Sequence, residues 1–172
     1  MIILLVVLCY SCERSLLPPI EENSKIIYKN SFENISDINN WAGITEFDIF
    51  NSTCKNCGSH SIRIGGGCVL PHALYAIKET CSAGYYYVDC WNKLILNGGE
   101  VRIYLKDKNN YYPGEVSIPI TDTTWNYKKS DLLYMPENST LYIEMNSGGI
   151  IAGGMLIDEL RVVKVKSESL YD

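Results

Sequence analysis

An all-β sandwich is the fold this sequence predicts, and three observations predict it. Short segments of alternating apolar and polar residues, about eight of them, recur between turns rich in Gly, Asn and Pro. No stretch carries apolar residues at the helical spacing i, i+3, i+4, i+7. The late segment Met155 to Val165, MLIDELRVVKV, alternates and ends in β-branched residues, as a strand against a core does. Within it Met155, Ile157, Leu160, Val162 and Val163 are apolar, and Asp158 is out of place among them. A carboxylate buried there needs hydrogen-bond donors or a metal.

Composition narrows the class. With 47% hydrophobic and 20% charged residues, a chain of 172 residues builds a core and is not disordered. A net charge of -5 argues against nucleic acid, whose binding rests on clustered Lys and Arg. Thirteen Tyr and three Trp stand against three Phe. Tyr and Trp join a flat apolar face to a polar edge, which suits sugar stacking and equally suits half-exposed strands.

The first segment, residues 2 to 8, IILLVVL, is apolar but too short to span a bilayer, and fits the h-region of a signal peptide. It ends in Cys9-Tyr10-Ser11-Cys12. This resembles a bacterial lipobox, with small Ser11 before an acylated Cys12. No Lys or Arg precedes the run, and Cys9 stands where Leu is usual, as in the looser lipoboxes of Bacteroidetes-type lipoproteins. The resemblance implies a signal peptide over 1–12 and a chain held at the bacterial outer membrane or cell surface by lipid alone. Simple secretion is the alternative. Residues 13–25, with Pro18-Pro19, read as a polar tether, residues 26–166 as the domain and 167–172 as a tail.

Strands follow in order. Ile26 to Asn34 is the first, and the loop Asn34 to Trp41 closes on an aromatic. Ile44 to Phe50 is next, then Gly58 to Gly66, in which Ser61 and Arg63 alternate with Ile62 and Ile64. Tyr85 to Lys93 and Val101 to Asp107 flank Asn97-Gly98-Gly99, which predicts a hairpin. Trp125 to Tyr134, Leu141 to Met145 and the closing strand complete the set.

Alternation then fixes faces. With Tyr86, Val88 and Cys90 inward, Tyr87, Asp89 and Trp91 point out. With Val101, Ile103 and Leu105 inward, Arg102, Tyr104 and Lys106 point out. With Leu141, Ile143 and Met145 inward, Tyr142 and Glu144 point out. Tyr87, Trp91, Tyr104 and Tyr142 with Asp89, Arg102 and Glu144 thus form the candidate ligand face. Rings would cover the C–H faces of a sugar and the polar groups would read its hydroxyls. The same residues also suit a half-exposed sheet with cross-strand aromatic pairs.

Several motifs then carry a family resemblance. Phe32-Glu33 and Ile157-Asp158-Glu159-Leu160 resemble the early "FE" and late "IDDV" strands of calcium-containing galactose-binding-like β-sandwiches. Gly58 to Ile64 resembles the "G-x-x-SLRI" strand, and Tyr85 to Lys93 the "Y-x-V-S-F-W-V-K" strand, of carbohydrate-binding modules of the cellulase and xylanase type. The resemblance covers roughly residues 26 to 165 and lies in the order of the motifs. It implies a jelly-roll with a glycan on the concave sheet and Trp41 as a loop anchor. It also implies a structural Ca²⁺ on Glu33 and Asp158, completed by backbone carbonyls. The alternative is an assembly or adhesion protein that turns the same sandwich toward another protein.

Seven cysteines are present. With Cys9 in the leader and Cys12 acylated, Cys54, Cys57, Cys68, Cys81 and Cys90 remain, enough for at most two disulfides. Such bonds are permitted outside the cytoplasm. Cys54-x-x-Cys57 lacks the second half of a zinc site, so a loop disulfide or a bond from this pair to Cys68 is expected. Cys90, on a core face, is equally compatible with a buried thiol. His60 and His72 have no nucleophile motif nearby, and paired glycosidase carboxylates meet only in space. The expectation is a binding protein, not an enzyme.

Overall fold

The computed structural model describes residues 17–55, 57–65, 72–77, 81–109, 114–148 and 154–166. Cys12, the leader before it, Cys68 and the tail 167–172 lie outside the described residues. Among those described, eleven strands form two antiparallel sheets. They are β1 (Lys25–Asn30), β2 (Ile49–Phe50), β3 (Ser61–Gly65), β4 (His72–Ala76), β5 (Gly84–Leu96), β6 (Gly99–Lys106), β7 (Glu115–Pro119), β8 (Asn126–Lys129), β9 (Leu133–Met135), β10 (Thr140–Ser147) and β11 (Gly154–Val165).

The larger sheet is built on β11, the segment whose apolar alternation is strongest in the sequence. One edge of β11 pairs with β5, and the other pairs with β3 and then β1. β2 extends β3, while β8 and β9 share the far edge of β5. The smaller sheet runs β4-β10-β6-β7.

Side chains from the two inner faces fill the space between the sheets, as period-two alternation requires. Tyr86, Val88 and Cys90 come from β5, Val101, Ile103 and Leu105 from β6, Leu141, Ile143 and Met145 from β10. Met155, Ile157, Leu160 and Val162 of β11 join them. Each such side chain stabilises the fold by about 1.5–3 kcal/mol through leaving water.

Three expectations need correction. The turn at Asn97-Gly98 is not a hairpin. Asn97 (φ 65) and Gly98 (φ 74) do adopt the left-handed conformation that a tight turn requires. But β5 belongs to the larger sheet and β6 to the smaller, so the turn crosses the sandwich. The segment Trp125 to Tyr134 is two strands, β8 and β9, that bond successive parts of β5. Finally, the expected tether is docked from Leu17 onward. Leu17 is buried, Arg161 Nη2 donates to the Pro18 carbonyl at 2.9 Å, and Ile20 packs on Tyr87, Val163 and Val165. The apolar pair Leu17 and Ile20 covers sheet surface that would otherwise be wet.

Strand β11 carries a bulge. Asp158 pairs with Trp91 and Arg161 with Asp89, so Glu159 and Leu160 together oppose one residue, Cys90. Glu159 takes φ 47 to allow it. The extra residue keeps Leu160 in the core while both Asp158 and Arg161 turn to the outer face.

Candidate functional site

Strands β10 and β6 lie side by side at the centre of the smaller sheet, in a register that places Tyr142 opposite Tyr104 and Glu144 opposite Arg102. The inward positions of both strands are apolar, so these four are forced outward. The two tyrosine rings stack at 5.3 Å between centroids and 10° between planes. One residue pair along, Arg102 donates from Nε (2.9 Å) and Nη2 (2.7 Å) to Glu144 Oε2, and from Nη1 (3.1 Å) to Glu115 on β7. Burial alone would lower the Arg102 pKa, but the hydrogen bond and charge of Glu144 outweigh it and raise it. The guanidinium also stands 5.3 Å from the Tyr104 ring centre, and the Lys106 ammonium 4.8 Å from that of Tyr142.

The face is therefore a ruled surface. An aromatic row, Ala76–Tyr142–Tyr104–Glu115, lies beside an ionic row, Leu74–Glu144–Arg102–Ser117. Beyond these, Asn146 Nδ2 donates to Glu100 at 3.3 Å. Tyr142 offers accessible ring area, while Tyr104, only 4% exposed, backs it. Arg102 occupies Oε2 of Glu144, and no donor among the described residues bonds to Oε1. That oxygen is thus oriented and open to a hydroxyl. With Glu100 the face carries three carboxylates against the two cations Arg102 and Lys106, so it suits a neutral, hydroxyl-bearing ligand better than an anionic one.

Of the seven residues read as one ligand face, Arg102, Tyr104, Tyr142 and Glu144 come together here. Tyr87, Asp89 and Trp91 do not join them: they point outward from the larger sheet, on the opposite side of the sandwich. Alternation held on each strand, but in a sandwich outward has two directions, and the crossing at Asn97-Gly98 separates β5 from β6. Tyr87 is 3% exposed beneath Ile20, with Lys129 Nζ 3.9 Å from its ring centre. Asp89 is fully buried and takes three hydrogen bonds from Arg161, at 2.6 to 3.1 Å, and one from the Tyr127 hydroxyl at 3.0 Å. Trp91 is half-buried against Tyr127. Glu115 and Asn146 escaped the sequence reading. The alternation of Val116 and Ile118 with Glu115, Ser117 and Pro119 was the available sign of β7.

The two carboxylates read as calcium ligands both hold one loop, residues 52–60. Asp158 Oδ2 accepts from the Thr53 hydroxyl (2.6 Å) and the Cys54 amide (3.4 Å), and Oδ1 from the Glu159 amide (2.8 Å). Glu33 accepts from the Ser59 and His60 amides at 3.0 to 3.2 Å. Gly58, at φ 111, lets the loop close on it, since a Cβ there would sit 2.0 Å from Glu33 Oε1. Cys54 and Cys57 form a disulfide across the same loop. Their sulfurs lie within 4.8 Å of an Asp158 oxygen, but a disulfide offers no thiolate to a metal. Asp158 is fully buried and makes no ion pair with any described residue. Burial pushes its pKa up to about 7 against the pull of its three donors. Hydrogen bonds support this anion without neutralising it, which is the condition a hard cation would relieve. Cys90 keeps a thiol in the core, and burial pushes its pKa far above the usual range. Trp41 anchors its loop by donating to the Tyr28 hydroxyl at 3.0 Å.

No protein-family model and no curated protein matches the chain. Solved structures do. A xylan-binding domain, CBM22-1 of Paenibacillus barcinonensis Xyn10C, superposes with a TM-score of 0.63 at 16% identity, over 86% of this chain and 99% of that one. The CBM22-1–GH10 portion of Clostridium thermocellum xylanase 10B, complexed with xylohexaose, gives 0.58 at 11% identity, over 82% of this chain and 29% of that one. The enzymatically active domain of bacteriophage CBA120 tailspike protein 4 gives 0.58 at 18%, over 77% and 20%. The chain therefore has the β-sandwich fold of these modules, built from two sheets as expected.

Proposed function

We propose that this chain is a non-catalytic carbohydrate-binding module whose glycan lies on the outer face of the four-stranded sheet. The stacked Tyr104–Tyr142 pair beside the Arg102–Glu144 ion pair carries the reading. Tyr142 supplies the flat apolar area for sugar C–H groups, Glu144 Oε1 accepts a hydroxyl proton, and Lys106 and Arg102 donate. With the Arg102 guanidinium already held by Glu144 and Glu115, the face favours a neutral polysaccharide over an anionic one. The fold shared with a xylan-binding domain supports the same reading. A glycan array probed with the whole protein tests it: retention on neutral polysaccharides is expected. Capture of a protein partner with no glycan retained would favour the adhesion alternative instead.

The proposal includes a structural calcium ion held by Glu33 and Asp158, with carbonyls of loop 52–60 completing an oxygen shell. Its role is to fix the loop on the larger sheet, remote from the glycan. The pH dependence has a definite sign. Asp158 has a folded pKa of about 7, above an unfolded value of about 3.9. Without calcium its contribution is fully present below pH ~4 and is lost as pH rises toward 7. With calcium bound, the ionised form is the stable one and the slope over that window reverses. Asp158→Asn should flatten both curves and raise stability in chelator at neutral pH by about 1–4 kcal/mol. Melting curves in EGTA and in calcium check this. Identical curves in the two buffers would refute the ion.

A lipid anchor at Cys12 and residence at the bacterial outer membrane or cell surface complete the proposal, supported by the apolar run that ends in Ser11-Cys12. Mass spectrometry of the mature protein should show an acylated Cys12 as its first residue. An unmodified Cys12 within the chain would contradict it.

A further inference from the structure

At one side of the sandwich, where the end of β1 meets edge strand β4, lies an open cavity of about 480 Å³. Tyr28 and Tyr75 form its aromatic wall, their rings 4.6 Å apart, with Trp41 behind Tyr75 at 5.3 Å. Lys29, Asn30, Asp37 and Asn40 line the rest. Asn30 is buried and fixed: Nδ2 donates to the Tyr28 hydroxyl (2.9 Å) and the Asp37 carbonyl (2.7 Å), while Oδ1 accepts from the Phe32 amide (2.8 Å). The Tyr28 hydroxyl also accepts from the Trp41 indole at 3.0 Å. Two donors thus occupy its lone pairs, and no described residue accepts its own proton. Burial pushes this phenol up to about 12, so the proton stays in place at neutral pH.

From this geometry we infer a second ligand site, separate from the sheet face, that takes a single ring of a neutral saccharide. The aromatic wall offers a ring face to sugar C–H groups. The Tyr28 hydroxyl donates, the Asp37 carboxylate accepts, and the Asn40 amide does both. Lys29 is paired with Glu159 at 3.0 Å, so the Asp37 carboxylate is the charge that faces the cavity. A phosphate would meet that carboxylate with like charge, and a metal ion would find a single carboxylate where it needs several oxygen ligands. The volume is in the range of small-ligand pockets, and its one aromatic wall, Tyr28 and Tyr75, gives a stacking face for one sugar ring.

The inference does not rest on the sheet-face reading, and one experiment separates them. The indole N–H of Trp41 bonds to the same hydroxyl that would meet the ligand, so its ¹⁵N–¹H resonance reports on the cavity. D-xylose, D-glucose and D-galactose are titrated into labelled protein, with glycerol as control. At least one sugar should move the resonance saturably, in the wild type and equally in Tyr142→Ala. Asn40→Arg, a change at an exposed turn that fills the mouth without touching the core, should weaken that response about tenfold or more, while polysaccharide binding persists. A resonance unmoved by every sugar, moved equally by glycerol, or indifferent to Asn40→Arg would overturn the edge site. Loss of polysaccharide binding in Tyr142→Ala bears on the sheet face alone.

Discussion

Asp89→Ala should destabilise the folded domain by about 3–5 kcal/mol. Asp89 is fully buried, and its partner Arg161 has a side chain only 7% exposed. Removing the carboxylate strands a guanidinium under residues 17–21, which lie as a strap over the larger sheet through Leu17, Pro18 and Ile20, leaves it bound only to the Pro18 carbonyl, and takes the acceptor from the Tyr127 hydroxyl. The loss is larger than that of a surface pair, about 0–1 kcal/mol, because water does not reach the stranded charge. Replacing both partners, Asp89→Leu with Arg161→Met, should cost much less, since no unpaired charge is left. Urea unfolding of wild type and the two variants measures this. A single mutant within ~1 kcal/mol of wild type would show that water enters beneath the strap.

Tyr142→Ala should reduce glycan affinity by about 2 kcal/mol, or roughly 30-fold, the size of a binding hot spot. Its stability loss should stay modest, because Tyr142 is half-exposed and its strand is held by the inward Leu141 and Ile143. Tyr104→Ala is a poorer probe, since Tyr104 is nearly buried and its removal leaves a void beside Tyr142. Isothermal titration against the best array glycan reads the affinity, and thermal melting reads the stability. An unchanged affinity would move the glycan off this face.

Much of the fold was legible because period-two alternation is local. Tyr86, Val88 and Cys90, Val101, Ile103 and Leu105, and Leu141, Ile143 and Met145 all lie in the core the sequence implies. What alternation does not encode is which sheet a strand joins. Asn97-Gly98 has the chemistry of a hairpin turn and serves as a crossing, because turn residues set backbone torsions and not the partner of the next strand. That one turn split the candidate face, leaving Tyr142, Tyr104, Arg102 and Glu144 on one side and Tyr87, Asp89 and Trp91 on the other. The bulge at Glu159 was equally hidden, since a left-handed Glu has no local sequence mark. The strap was hidden for a different reason: Leu17 and Ile20 are two apolar residues without a period, and only the exposed patch of Tyr87, Val163 and Val165 gives them a place.

Affinity electrophoresis in gels carrying xylan or another array-positive neutral polysaccharide sets the two faces directly against each other. Wild type and Trp91→Ala should be retarded alike, and Tyr142→Ala should migrate as in a gel without glycan. Retarded Tyr142→Ala beside unretarded Trp91→Ala would place the glycan on the larger sheet and contradict the site assigned here.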